Sequence, residues 1–275
     1  MKKLIKKGKV KDIYDIGNNQ ILFEFSDRIS CFDVILKDKI PSKGEVLCRM
    51  AAFWFKTLNF PNNMVEIIPP NQMIVKKCEV IPIECVVRGY LYGSFYERVK
   101  NGEVKLSVEP VLAMKLPEIF FDPTTKFEQK DRVISKEEIL EKGWLTEKES
   151  EWIKQKSIEL YKKMSEIADK AGFILADVKF EFGRDGDKII LIDSIGLDEF
   201  RLWSKKTYSP GKTQESFDKQ VVRDWLIKEG YKESLDKAAK SGKKMPEPPK
   251  LPDELIKETT RTYIYVFEKL TGEKF

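Results

Sequence analysis

The stretch Ile174-Leu175-Ala176-Asp177-Val178-Lys179-Phe180-Glu181-Phe182-Gly183 runs into Arg184-Asp185-Gly186-Asp187 and then Lys188-Ile189-Ile190-Leu191-Ile192-Asp193. Charged and apolar residues alternate from 177 to 182. A strand has a period of two, so Asp177, Lys179 and Glu181 share one face, and Val178, Phe180 and Phe182 share the other. Arg184 to Asp187 is turn material between two apolar runs, which predicts a hairpin. The turn length decides where Asp193 falls. Three unpaired residues set it opposite Lys179 on the same face, and two set it on the other face.

Three carboxylates and an ammonium on one patch suit a magnesium–nucleotide site. Magnesium prefers one or two carboxylates together with phosphate oxygens and water. The competing reading is a solvated face on an edge hairpin, with Val178, Phe180 and Phe182 packed under a neighbouring helix.

That helix is legible just upstream. Ile153, Leu160, Met164, Ile167 and Ala171 form an apolar stripe within 147–171, and Gly172 stands where a C-cap belongs. The first 85 or so residues read mostly as strands, with Gly17-Asn18-Asn19 as a hairpin turn between 9–16 and 20–25. Helical spacing appears over 46–58. Strands are predicted at 73–77 and 79–87, where Pro82 argues for a bend rather than a central strand. The Pro-, Asp- and Thr-rich segment 115–132 reads as a long loop, 216–228 as a short helix, 240–252 as a Lys/Pro linker and 253–270 as a final helix.

Composition narrows the chemistry. The 275 residues contain no histidine. Ser-His-Asp and Cys-His catalysis and His-ligated metals are thereby excluded, which leaves carboxylates, lysines, tyrosines or the substrate itself for acid–base work. The four cysteines form no CxxC pair and sit among apolar residues, so they read as buried thiols. Fifty basic residues against 45 acidic give a formal charge of +5 without a concentrated basic stripe. That surplus suits a pocket for phosphorylated small molecules better than nucleic acid. No apolar run is long enough for a membrane span, and the basic N-terminus lacks an h-region, so a cytoplasmic location is the expectation.

Three further motifs bear on anions. Gly8-Lys9-Val10-Lys11-Asp12-Ile13-Tyr14 enters a strand with lysines that can hold phosphate, although it is no Walker motif. Nine arginines stand in a lysine-rich chain. Arg28, Arg88, Arg201 and Arg223 lie in polar–apolar contexts suited to planar recognition of phosphate or carboxylate. Gly89 to Ser94, directly after Arg88, could bring backbone N–H groups to a phosphate. Each has a plainer reading as a basic strand, a surface ion pair or a turn.

Taken in order, these pieces resemble one family. GKVKDIYD (8–15), SDRISCFDVILKDKIPSKG (26–44), EVIPIECVVRGYLYGS (79–94), ILADVKFEFG (174–183) and SPGKTQESFDKQVVRDWL (209–226) are similar to the phosphoribosylaminoimidazole-succinocarboxamide synthase (SAICAR synthetase) family. The resemblance runs to about residue 226. It implies an α+β fold with a smaller β-rich N-terminal lobe, 1–84, a larger α+β lobe, 85–275, and ATP between them. It implies an ATP- and Mg2+-dependent ligase of purine biosynthesis. The substrate carboxylate of carboxyaminoimidazole ribonucleotide (CAIR) is phosphorylated, and the amine of L-aspartate then displaces phosphate. A homo-oligomer is compatible with it.

Site roles follow from the same resemblance. Lys9 and Lys11 hold ATP phosphates, the 79–84 segment with Glu79 and Glu84 forms the adenine hinge, and Lys126 assists. Glu181 and Asp193 hold magnesium. Arg88, Ser94, Asp177, Lys179 and Arg201 bind the ribonucleotide, with Asp33, Lys179 and Arg201 at the reacting end. Lys212, Gln214 and Arg223 are candidates near the aspartate. The chain departs from the family pattern at Lys130, where a histidine is usual, at Ser194, where a glutamate is usual, and over 195–200. Two rivals remain. A small-molecule kinase would show no aspartate dependence, and the chain lacks HRD- and DFG-type segments. A nucleic-acid binder would leave the 177–193 carboxylates without a role.

Overall fold

The computed structural model describes residues 2–128 and 131–275. The chain opens with β1 (Lys3–Lys7), β2 (Lys11–Gly17), β3 (Gln20–Phe25), β4 (Arg28–Cys31) and β5 (Val34–Lys39), followed by α1 (Lys43–Thr57), β6 (Met64–Ile68) and β7 (Gln72–Lys76). Next come β8 (Glu79–Tyr90), α2 (Gly93–Lys100), β9 (Lys115–Thr125), α3 (Lys136–Glu141) and α4 (Glu147–Lys170). β10 (Phe173–Asp185), β11 (Lys188–Ile192), β12 (Phe200–Ser204), α5 (Gln220–Lys228), α6 (Tyr231–Ser241) and α7 (Asp253–Thr271) complete it. The mixture is α+β.

Two compact units emerge. One comprises Met1–Phe53, Met64–Lys77 and Phe217–Phe275. Its antiparallel sheet has the order β1-β2-β3-β7-β6, beside a separate β4–β5 hairpin. Gly17, Asn18 and Asn19 all take positive φ, as the predicted turn between β2 and β3 requires. The β4–β5 hairpin buries Ile29, Cys31, Leu36 and Ile40 against Val222, Leu226, Tyr231 and Leu235 of α5 and α6. Helix α6 was not foreseen in the sequence. It occupies 231–241, upstream of and overlapping the start of the predicted linker.

The other unit comprises Trp54–Asn63 and Cys78–Ser216. Its sheet runs β11-β10-β8-β9, with β12 also on β10. β10 is a central strand: β8 lies along one side, and β12 and β11 share the other. β11 leaves the hairpin at the sheet's edge, but the solvated-face reading is incorrect, because Asp177 and Glu181 are buried. Val178, Phe180 and Phe182 are fully buried, and α4 packs on β10. Each such side chain contributes roughly 1.5–3 kcal/mol by burial. Helix α4 starts at a capping box, with Thr146 and Glu149 each bonding the other's backbone.

Two sequence expectations are corrected here. β8 runs through Pro82 and is central, because the register slips between Glu181/Gly183 opposite that proline, where no ladder N–H is required. Its carbonyl still accepts from Lys126 N at 3.1 Å. Most of 115–132 is not loop: residues 115–125 form β9, an edge strand, which tolerates Pro117 and Pro123. Among the cysteines, Cys31, Cys48 and Cys85 are buried and Cys78 is half-buried.

Candidate active site

Register sets up two rows of side chains across the second unit's sheet. In the first, Glu181 of β10 pairs with Glu84 of β8, which pairs with Thr124 of β9. In the second, Asp177 of β10 stands between Arg88 of β8 and Arg201 of β12. Residues 177 and 181 lie on the same face, about 13 Å apart at ~3.3 Å per residue.

The first row places two carboxylates directly opposite one another, which is unfavourable without cations. Lysines supply them. Lys179 Nζ lies 2.8 Å from Glu84 Oε1 and 3.2 Å from Glu181 Oε1, and Lys126 Nζ lies 2.7 Å from Glu181 Oε2. Thr124 Oγ1 donates to Glu84 at 3.4 Å. Glu181 is only 4% exposed. Burial pushes its pKa up, and the charge of Asp193 adds to the push against the pull of Lys179 and Lys126. Burial works against the Lys179 ammonium, yet Glu181, Glu84, Glu199 and Asp193 hold its pKa well above the usual value. Lys179 thus stays charged.

Asp193 reaches this row by a route that alternation does not describe. Asp185 pairs with Lys188, so the turn is the two-residue Gly186-Asp187, with Gly186 at φ +60°. Ile192, not Asp193, stands opposite Glu181. Asp193 lies one residue beyond β11 with φ +68°, which breaks the strand's two-fold alternation. Its charge acts on both Lys179 and Glu181. The three-residue turn is excluded, and Asp193 is not on a paired strand.

The second row is an alternating ladder of charge. Arg201 Nη1 pairs with Asp177 Oδ2, and Arg88 Nη1 approaches the same oxygen at 3.7 Å. Arg88 Nε donates to Asp122 Oδ2 at 2.8 Å, and Arg98 Nη1 donates to both oxygens of Asp122 at 2.8 and 2.9 Å. Asp122 and Arg98 were missed in the sequence. Asp122 fell in the segment read as loop, although the Ile119-Phe120-Phe121 run before it carries strand propensity. Arg98 lies on α2, a helix not foreseen in the sequence.

The N-terminus of α2 adjoins this ladder. Tyr92 offers no side-chain cap, and Ser94 is exposed in the first turn, so backbone N–H groups there are available to an anion. Gly93 has φ +59°, and a Cβ on it would lie 3.0 Å from Arg201 Nη2. Only glycine meets both demands.

In the first unit, Gly8 opens a tight turn in which its N–H donates to Lys11 O at 2.9 Å. Arg28 braces this turn, donating to Gly8 O at 3.0 Å and to Asp12. Lys9 Nζ lies 2.6 Å from Asp33 Oδ1, and both side chains are exposed. Phe32 and Asp33 form the β4–β5 turn with φ of +53° and +65°. Lys11 is buried, with Nζ over the rings of Phe23 and Phe25 at 4.6 and 5.4 Å.

The remaining candidates are not gathered into these clusters. Glu79 stands exposed at the start of β8, paired in register with Arg184. Lys212 is exposed. Gln214 spends its amide on Ser209 and Lys212 backbone groups, so it braces its own loop. Arg223, on α5, donates to Gln220 at 3.4 Å. Ser194 is buried, and Lys130 lies outside the described residues.

A lysine-bridged carboxylate row beside an arginine ladder and a helix N-terminus defines an α+β enzyme built for polyanionic small molecules. A sequence profile described as SAICAR synthetase matches residues 4–238. The chain is 48% identical to the phosphoribosylaminoimidazole-succinocarboxamide synthase of Nitrosopumilus maritimus, over 97% of each chain. Its fold matches a SAICAR synthase from Saccharomyces cerevisiae complexed with SAICAR, with TM-score 0.84 and 33% identity over 99% of this chain and 95% of that one. A SAICAR synthetase in complex with ADP matches with TM-score 0.76 and 26% identity, over 98% of both chains. The chain belongs to the SAICAR synthetase family, ATP-dependent ligases of purine biosynthesis.

Proposed function

We propose that this chain condenses CAIR with L-aspartate, using ATP, to give SAICAR, ADP and phosphate. The observation that carries the reading is the pair of rows on one face of one sheet: a carboxylate–lysine row suited to a metal–nucleotide, and an arginine row suited to a ribonucleotide. The relatives' complexes with SAICAR and with ADP support the same ligands. In this reading the main ATP-binding role falls to residues within 1–84, and the substrate-binding role to residues within 85–275. Among the described residues no helix is long and apolar enough to cross a membrane, and we assign a cytoplasmic location.

The chemistry needs alignment and charge neutralisation more than a strong base. A carboxylate oxygen of CAIR attacks the γ-phosphorus of ATP, and ADP leaves. The amine nitrogen of aspartate then attacks the acyl carbon, phosphate leaves with the C–O bond electrons, and the nitrogen loses its proton. Lys179, held charged by four carboxylates, offsets the negative charge that gathers at the reacting carboxylate. Arg88, Arg201, Ser94 and the first turn of α2 hold the ribonucleotide, with Asp177 fixing the two guanidiniums. Lys9 and Lys11 contact ATP phosphates, the backbone from Glu79 to Glu84 holds adenine with Lys126 assisting, and Asp33 acts at the reacting end. Lys212 and Arg223 are the proposed aspartate ligands.

The donor set fits magnesium. Glu181 and Asp193 are hard oxygen donors; burial first, and then the charge of Asp193, push the Glu181 pKa up, and a dication would offset both. Glu181 and Asp193 would hold Mg2+, which would supply charge neutralisation for the ATP phosphates.

The test is a coupled ADP assay. Steady-state ADP release should require both CAIR and aspartate. Full turnover without aspartate would make the chain a kinase, and no turnover with any combination would remove the enzyme reading.

A further inference from the structure

Nothing in the proposed chemistry uses Asp122, yet it is among the most buried charges of the second unit, at 2% exposure. It lies on β9, diagonal to Arg88 on the neighbouring strand β8, since Asp122 pairs with Val86 and Arg88 with Phe120. A lone buried carboxylate there would be strongly destabilising. Asp122 is instead clasped by two guanidiniums. Arg98 puts one nitrogen on both its oxygens, at 2.8 and 2.9 Å, and Arg88 gives its Nε at 2.8 Å.

The geometry of that second contact matters. A guanidinium is a rigid planar fork, so fixing the Nε edge fixes where the terminal nitrogens point. With Nε on Asp122, Nη1 of Arg88 lies 3.7 Å from the Asp177 oxygen that Arg201 also contacts. Phe95 holds the same assembly from the side, with the Arg88 and Arg98 guanidinium carbons 5.4 and 5.8 Å from its ring centroid. Phe95 and Arg98 lie on α2, the helix whose first turn carries Ser94. The clasp therefore ties the helix N-terminus and the Arg88 fork into one body.

We propose that Asp122 is a positioning residue. It aims the terminal nitrogens of Arg88 at the ribonucleotide, and Arg98 serves as its counter-charge and its link to α2. The inference rests on the reading that Arg88 and Arg201 hold the ribonucleotide. It makes a prediction opposite in sign to simple electrostatics. Asp122→Asn removes one negative charge beside a site for an anion, so charge alone would tighten ribonucleotide binding. Loss of aim weakens it.

Steady-state kinetics on the full-length chain decide the matter. Asp122→Asn should raise KM for CAIR ten- to a hundredfold while kcat stays within about threefold, because the lost contact is made equally in ground and transition states. KM for ATP and for aspartate should stay within twofold, whereas a general loosening of the fold would move all three. If Asp122→Asn does not fold, the double variant Arg98→Gln/Asp122→Asn keeps the net charge, leaves Arg98 no charge to strand, and should show the same rise. Arg201→Lys is the control for the underlying reading. An unchanged or lowered KM for CAIR in the Asp122 variants, with Arg201→Lys impaired, overturns the positioning role alone. Unchanged KM for CAIR in both overturns the assignment of the ribonucleotide to this row as well.

Discussion

The two rows on the second unit's sheet solve opposite electrostatic problems on the same five-strand scaffold. In the row of Glu181, Glu84 and Asp193, carboxylates crowd together and lysines on single flexible stems mediate between them. In the row of Arg88, Asp177 and Arg201, arginines crowd together and carboxylates mediate. Lysine is a compact point charge on a mobile chain, and arginine is a rigid fork. In the proposed reading the first row would exchange its lysine contacts for a metal and phosphates at little geometric cost. The second has its donors set before ligand arrives. In the proposed reading, the difference teaches that the row for a metal–nucleotide is built around repulsion that a cation would relieve, and the row for a ribonucleotide around preset direction.

The largest expected effects break the first row. Glu181→Gln and Asp193→Asn are near-isosteric, so both chains should fold, while turnover falls by orders of magnitude in a coupled ADP assay. Calorimetric melting of Glu181→Gln should show a temperature equal to or above that of the parent, since burial and Asp193 both disfavour its charge. A clear drop would mean that its lysine contacts outweigh the repulsion.

Next come variants of the second row. Arg201→Lys keeps the charge and loses the fork, and should cost about 2 kcal/mol in kcat/KM for CAIR, a factor of roughly thirty. Gly93→Ala attacks the same guanidinium from the helix side. The new Cβ meets Arg201 Nη2 at 3.0 Å and sits at φ +59°. It should cost about 1 kcal/mol or more in stability, and raise KM for CAIR. Chemical denaturation and initial rates check the two parts separately.

The smallest effect lies outside both rows and serves as their control. Thr146→Ala removes the α4 cap and should cost about 1 kcal/mol in a denaturation midpoint, with kcat/KM untouched. Glu149, within the same cap, is held at a pKa of about 2, down from 4.5, chiefly by the Arg184 hydrogen bond and then by Thr146. A depressed carboxylate stabilises the fold above its unfolded pKa. That contribution should fade as pH falls from about 4.5 toward 2, and less of it should be there to lose in Thr146→Ala.

How much of this could be read from the sequence depended on whether local rules governed each residue. The alternation through Asp177, Lys179 and Glu181 was legible because β10 is regular there, and the α4 stripe because helical period dominates a long exposed helix. Asp193 was not, since a single left-handed residue past a strand end defeats alternation. Strand β9 and the passage of β8 through Pro82 were hidden because proline's cost depends on which edge is paired, a tertiary fact. Asp122 went unnoticed for the same reason. The grouping of α5 and α6 with the β4–β5 hairpin rests on contacts between residues nearly 200 positions apart, which no window of sequence contains.

The separation of the two rows is tested most directly by one series: rate against magnesium concentration at saturating CAIR, and rate against CAIR at saturating magnesium, for Glu181→Gln and Arg201→Lys. The account gives Glu181→Gln a large rise in magnesium requirement, or no rescue, with its CAIR dependence near that of the parent where a rate remains. It gives Arg201→Lys the reverse. Identical shifts of both curves in both variants, or a magnesium curve that Glu181→Gln leaves unmoved, would contradict it.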